Sequence, residues 1–225
     1  MSNQKRLVLY TSPTGNGRQV PILLEELKLI YGPAIDYEIV LIDRKKGTQK
    51  EPWFLALNPN GKIPTLVDRA QENFAVFESS AILLYLVQTF DVDRRLSFDP
   101  ATHPKDYSEM MQWLFYVHGG LAIAYGQSVH FTELEEEVPY AKNRWLTELE
   151  RHFGVLESRL INRKYLSGPG DGTYSVADIK AMVWAGPKML SRLGVGPIDK
   201  WPNVKAWLAR IEERPGISAA EKALQ

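Results

Sequence analysis

Three short stretches carry residue types and spacings suited to chemistry: Thr14-Gly15-Asn16-Gly17, Asn58-Pro59-Asn60-Gly61-Lys62-Ile63-Pro64 and Glu78-Ser79. The second is turn chemistry, because Pro59 presets φ while Asn60 and Gly61 tolerate left-handed backbone. It runs into a β-branched strand over 63–67 whose second residue is Pro64. Proline donates no hydrogen bond and belongs at the start or edge of a strand. The backbone groups of Ile63 are therefore left for a partner other than the sheet. A short peptide can pair with them as an added strand. Further on, an apolar strand over 74–77 meets a helix start at Ser79. A serine hydroxyl and helix-terminal N–H groups suit a carboxylate, and Glu78 beside them suits an ammonium group. Together these residues describe a pocket for a small peptide with an α-amino and an α-carboxyl group at one end.

Composition narrows the field. The 225 residues carry 27 Lys+Arg against 27 Asp+Glu, so the formal net charge is +0 and no electrostatic footprint for nucleic acid is present. Hydrophobic content of 44% is ordinary for a globular protein, and no apolar run reaches the ~20 residues of a membrane span. Residues 1–6 are polar and lack an apolar signal core, which makes the cytoplasm the expected location. Cysteine is absent. That excludes disulfides, cysteine-based zinc sites and a cysteine nucleophile.

The elements that must position these stretches alternate at first. A strand over 7–10 leads through the turn cluster 11–17 into a helix from Arg18, with Val20, Leu23, Leu24 and Leu27 on one face and Pro21 expected in its first turn. A second strand over 37–42 completes a βαβ unit. A short helix over 53–57, the strands 63–67 and 74–77, and a helix from 79 to 90 follow. Residues 91–103 are polar and aperiodic and read as a linker. Beyond them the chain is helical, over 107–117 and 139–160, with His118-Gly119-Gly120 expected to interrupt the first helix and the acidic run 133–137 expected as a solvated helix turn. Ser175-Val176-Ala177-Asp178 has the form of a capping box before an apolar helix. Trp201-Pro202 opens a further helix, and Arg214-Pro215 is expected to end it.

The run from Asn58 to Pro64 followed by Glu78-Ser79 resembles the glutathione site of the glutathione transferase superfamily. The resemblance implies a cis Pro64, pairing of the Ile63 backbone with the cysteinyl residue of glutathione, and capture of the γ-glutamyl end by Glu78 and Ser79. It implies an α/β plus all-α architecture: a thioredoxin-like domain over 1–90, the linker 91–103, and an all-helical domain over 104–225 completing a hydrophobic cleft at the domain junction. Ser175 to Asp178 resembles the capping motif of a buried helix in the same superfamily, a folding element. A homodimer is also implied, with glutathione as cosubstrate, no metal, no nucleic acid and no membrane.

Such enzymes need a donor near the thiol, because a free thiol has a pKa near ~8.5. The loop after the first strand offers Tyr10, Thr11, Ser12, Thr14 and Asn16. Tyr10 reads equally as a packed strand residue. The run from Pro13 to Arg18 resembles the fungal nitrogen-regulator prion-protein class and the bacterial nu class, which implies Asn16 at the sulfur with the Thr14 hydroxyl nearby. Gln49 and Lys62 stand where that class meets the glycyl end, and Asn60 belongs to the peptide-binding turn. Trp113, Phe115, Gly119, Gly120, Gly126, Gln127, His130 and Phe131 resemble the class's cleft-lining helices. The simpler reading of the aromatic residues, Tyr116 and Trp184 included, is helix core, and of His130 a hydrogen-bonded structural histidine. The fungal regulator's Asn/Gln-rich extension has no counterpart here, which argues against its regulatory role. The expected activity is cysteine-free disulfide reduction by glutathione, with conjugation of small electrophiles sharing the site. The contrasting reading is a glutathione-binding regulatory or ligandin module with little turnover.

Overall fold

The computed structural model describes residues 4–225, so the first three residues of the polar leader lie outside the described residues. The chain forms two compact units. One ends at Asp93 and also takes in Arg214–Gln225, and the other is Arg94–Glu213.

The first unit is built on four strands, β1 (Leu7–Thr11), β2 (Tyr37–Leu41), β3 (Thr65–Asp68) and β4 (Phe74–Phe77), in the order β2-β1-β3-β4. β1 runs parallel to β2 and antiparallel to β3, and β3 is antiparallel to β4. β1 is central, and its Leu7, Val8 and Leu9 are buried, as a strand covered on both faces requires. The helices are α1 (Gly15–Tyr31), α2 (Pro52–Leu57) and α3 (Ser79–Phe90). Val20, Leu23, Leu24 and Leu27 make the buried face of α1. This is the thioredoxin-like arrangement the sequence leads one to expect.

α1 begins earlier than its apolar spacing indicates. Thr14 caps it, its hydroxyl accepting from the Gly17 amide at 3.1 Å. Pro21 consequently sits inside the helix, not in its first turn. A proline there cannot donate to the carbonyl four residues back. That carbonyl, on Gly17, accepts instead from the buried Thr11 hydroxyl at 3.0 Å. The helix thus tolerates Pro21 because β1 supplies the missing donor. Thr11→Val should leave the Gly17 carbonyl buried and unsatisfied and lower stability by about 1–2 kcal/mol in chemical denaturation.

The second unit is helical: α4 (Pro104–Tyr116), α5 (Ala122–Glu133), α6 (Pro139–Leu160), α7 (Val176–Ala185), α8 (Pro187–Arg192) and α9 (Pro202–Glu212). His118-Gly119-Gly120 does not interrupt the first of these. The chain passes from α4 to α5 through a π-helical turn, Val117–Leu121. Glycine serves packing there, since a Cβ on Gly120 would lie 2.5 Å from the His152 ring. The acidic run leaves the helix after Glu133, which pairs with Arg192, and its remainder is an exposed connection to α6. α7 is buried along its whole length and opens on the capping box, with Ser175 and Asp178 each bonding the other's backbone.

α9 ends before Arg214-Pro215, as expected, and Pro215 then starts a further helix, α10 (Pro215–Ala223), which packs on α1 within the first unit. Arg214 donates both arms of its guanidinium to the buried Glu26 carboxylate of α1, at 2.8 and 2.7 Å. Gly216 fits against the same side chain, where a Cβ would lie 2.8 Å from Glu26 atoms.

Candidate functional site

The loop between β1 and α1 sorts its polar side chains. Thr11 donates to the Gly17 carbonyl, and Ser12, also buried, donates to the Ile42 carbonyl. Neither hydroxyl proton remains for a ligand. The Tyr10 ring is packed against Trp53 and Phe54, with centroids at 5.6 and 6.2 Å. The half-buried Thr14 and Asn16 are left. The Thr14 hydroxyl accepts from Gly17 as the helix cap and so keeps its own proton.

Asn16 lies in the first turn of α1 and its Oδ1 is met by two donors. The Ser79 hydroxyl, at the start of α3, donates at 3.3 Å, and Gln19 Nε2 donates at 3.3 Å. Asn16 and Ser79 thus tie the N-termini of two helices together. Ser79 is buried, and the exposed Glu78 that precedes it has φ of 68°, uncommon for a residue with a Cβ. Glu78 accepts from Asn60 Nδ2 at 3.3 Å. Four of the expected site residues, Asn16, Ser79, Glu78 and Asn60, therefore form one connected set.

The turn carrying Asn60 is organised by Asn58, which is 2% exposed. Its Nδ2 donates to the Lys62 carbonyl at 2.7 Å and to Thr65 Oγ1 at 3.0 Å, while its Oδ1 accepts from the Asn60 amide at 3.0 Å. Gly61 has φ of 61°, and a Cβ there would lie 2.9 Å from the Gln49 carbonyl. Glycine is thus required on both counts. The Ile63–Pro64 peptide is cis. Strand pairing begins at Thr65 opposite Tyr10, so Ile63 and Pro64 precede the ladder that the sequence pattern extends back to 63.

Two expected residues stand apart. Gln49 brings its backbone against Gly61, but its side-chain amide reaches back to the Arg44 carbonyl at 3.4 Å. The Lys62 side chain is exposed on the turn. Neighbouring Lys50 instead approaches, donating to the Asn60 carbonyl at 3.2 Å. Sequence reasoning passed over Asn58 and Gln19 as positioning groups. Asn58 had a signal in its place before a proline turn, whereas nothing in the pattern around Gln19 marks it.

Within the helical unit, Trp184 is core, Phe115 is exposed, and Trp113, Tyr116 and Phe131 are half-buried. His130 is exposed and meets Phe131 edge to face, centroids 4.9 Å apart, and is not the hydrogen-bonded structural histidine expected. That place belongs to His152, whose Nδ1 lies 2.6 Å from the Tyr116 hydroxyl and whose Nε2 lies 3.4 Å from Glu148. Burial, and then the Arg151 charge, lower the His152 pKa and favour the neutral ring, while the Tyr116 hydroxyl also donates to the His152 carbonyl at 3.2 Å. Burial raises the Tyr116 pKa. His152 borders a cavity of about 710 Å³ lined also by Gly120, Ile123, Tyr140, Arg144 and Glu148. None of the first unit's site residues lines it. Among the described residues no His/Cys/Asp/Glu group is suited to a metal, and no helix is long and apolar enough to cross a membrane.

Comparison with known proteins finds a family match for both halves of the chain. Residues 9–88 match the glutathione S-transferase N-terminal domain model and residues 106–215 the C-terminal domain model. The chain is 35% identical to the disulfide-bond oxidoreductase YfcG of Escherichia coli over 94% of this chain and 93% of that one. It is 34% identical to glutathione S-transferase 2 of Schizosaccharomyces pombe over 96% and 95%. The crystal structure of the glutathione transferase URE2P8 from Phanerochaete chrysosporium with oxidized glutathione superposes with a TM-score of 0.87 at 33% identity, covering 99% of this chain and 96% of that one. The protein belongs to the glutathione transferase superfamily, in the neighbourhood of the Ure2p-like and nu-class members.

Proposed function

We propose that this protein binds glutathione in its first unit and uses it as a thiol cosubstrate, with disulfide reduction the stronger activity and conjugation of small electrophiles the weaker. The observation that carries this reading is the connected set Asn16–Ser79 and Glu78–Asn60, set beside Ile63 and Pro64, which lie outside the strand ladder. Ile63 would pair with the backbone of the cysteinyl residue, and Pro64 would hold that backbone turned outward. Glu78 and Ser79 would receive the amino and carboxylate groups of the γ-glutamyl end. Lys62 and Gln49 would serve the glycyl end, and Asn60 would hold Glu78 in place. Asn16 Nδ2 and the Thr14 hydroxyl would donate to the sulfur and favour the thiolate.

Bound in that form, glutathione supplies the nucleophile for a disulfide sulfur or for an electrophilic carbon. With 0 cysteines in the chain, no mixed disulfide with the protein is available. Amide and hydroxyl donors tolerate either glutathione or its disulfide, because neither donor has to change protonation state. The likeness to a relative named a disulfide-bond oxidoreductase, and to a structure holding oxidized glutathione, supports this preference. The same reading makes the protein a cytoplasmic homodimer, which light scattering and cell fractionation would check.

The test is a side-by-side assay with glutathione, using hydroxyethyl disulfide coupled to glutathione reductase and a chloronitrobenzene electrophile. Disulfide turnover should exceed conjugation. Conjugation in excess would reverse the ranking, and silence in both with glutathione bound would move the protein to the regulatory reading. Ser79→Ala should weaken glutathione binding about ten- to hundredfold by calorimetry, the cost of one charge-assisted hydrogen bond, with a smaller change in kcat.

A further inference from the structure

We infer that Gln19 is a positioning residue that fixes which atom of the Asn16 amide faces the thiol. Gln19 lies one helical turn after Asn16 and is 0% exposed. Its Nε2 donates to the Gly15 carbonyl at 3.2 Å and to Asn16 Oδ1 at 3.3 Å, while its own Oε1 is buried with no partner. A carboxamide can be turned end for end, and its direction follows from the network around it. Here the network has one member whose polarity cannot be reassigned, the Gly15 backbone carbonyl, which only accepts. Turning Gln19 over would set its oxygen against that carbonyl and strand its NH₂. Gln19 therefore presents NH₂, which requires Asn16 to answer with oxygen. The Ser79 hydroxyl can donate or accept and adapts to that choice. The result is an Asn16 amide whose Nδ2 lies on the side away from Gln19 and Ser79. A backbone carbonyl of α1 thereby sets, through two side-chain amides in series, the donor end offered to a thiolate. An Asn16 free to turn would present its oxygen, which repels a thiolate, for part of the time.

This rests on Asn16 being the thiol donor, and the experiment separates the two ideas. Gln19→Met keeps length and burial and removes both donors. In Gln19→Met, the apparent pKa of the bound glutathione thiol, followed by thiolate ultraviolet absorbance, should rise. kcat/KM at neutral pH should fall roughly tenfold, the share of one oriented hydrogen bond. Glutathione affinity should stay within about twofold, because Gln19 touches no ligand. The double variant with Asn16→Ala should be no worse than Asn16→Ala alone. An unmoved pKa in Gln19→Met, while Asn16→Ala shifts it, overturns the positioning role and leaves the donor role standing. An unmoved pKa in Asn16→Ala overturns both. A folding-independent check uses the unaltered protein with glutathione bound. Nuclear Overhauser contacts from the Asn16 Nδ2 protons to the cysteinyl β-protons are expected, and contacts from those protons to Gln19 instead would overturn the inference.

Discussion

Asn16→Ala is expected to lower kcat/KM for glutathione-dependent turnover at neutral pH by about 10- to 100-fold, with glutathione affinity changing less than about threefold. The split follows from where the side chain acts. Its Nδ2 favours the charged form of the sulfur over the neutral form and leaves the ends of the peptide alone. Removing it lets the thiol pKa climb back toward ~8.5. The sign is fixed: a donor lowers the thiol pKa, so its loss moves the rising limb of the pH–rate profile upward. The deficit should be largest well below that pKa and close as pH passes it. Ser79 is the control, because its hydroxyl touches Asn16 Oδ1 at 3.3 Å and would lose that acceptor in the variant. Ser79→Ala disturbs the same contact from the other side yet should act mainly on binding. Full activity in Asn16→Ala at neutral pH would remove the loop's proposed role and return attention to Thr14, since Thr11 and Ser12 already donate elsewhere.

The sequence made the succession of strands and helices in the first unit and the peptide-binding turn legible because both are written in local chemistry. A short continuous apolar run marks β1, and proline with Asn-Gly marks the turn. Helix boundaries were less legible wherever a distant group changes what a local residue means. Pro21 reads as a helix start until Thr11, on a neighbouring strand, supplies a donor to the Gly17 carbonyl. Gly119-Gly120 reads as a break until the His152 ring is seen to need the space at Gly120. Arg214-Pro215 reads correctly as the end of α9, but the helix it also begins goes unread until Arg214 is seen anchored on Glu26. The candidate site shows the same division. Asn16, Asn60, Glu78 and Ser79 are recognisable by type and spacing, and the structure joins them. Gln19 is invisible in sequence because its effect is the direction of another residue's amide, which depends on a hydrogen-bond network and not on periodicity.

The second large effect concerns stability, and it too was half legible. Asp178→Ala should destabilise the helical unit by about 3–5 kcal/mol, because it leaves several buried donors without an acceptor at about 1–3 kcal/mol each. The capping box announces only the Ser175 contacts, the amide at 3.0 Å and the hydroxyl at 3.3 Å. The structure adds the Leu166 amide at 3.0 Å and the Trp207 indole Nε1 at 2.9 Å. One carboxylate thus joins the start of α7 to the preceding loop and to the fully buried tryptophan of α9. Burial pushes its pKa up to about 6, against the pull of those donors. A carboxyl whose folded pKa lies above its unfolded value of ~3.9 contributes most below that value. That contribution should fall by about 2–3 kcal/mol as pH rises from about 4 to about 6. Urea midpoints followed by tryptophan fluorescence across this window should show that slope in the parent and not in Asp178→Ala. Asp178→Asn should lie between them, since its oxygen can still accept from Leu166 and Trp207 while its NH₂ faces the Ser175 donor. A loss below about 1 kcal/mol in Asp178→Ala would mean that water enters and satisfies the orphaned groups. α7 would then be held by its buried apolar surface rather than by its cap.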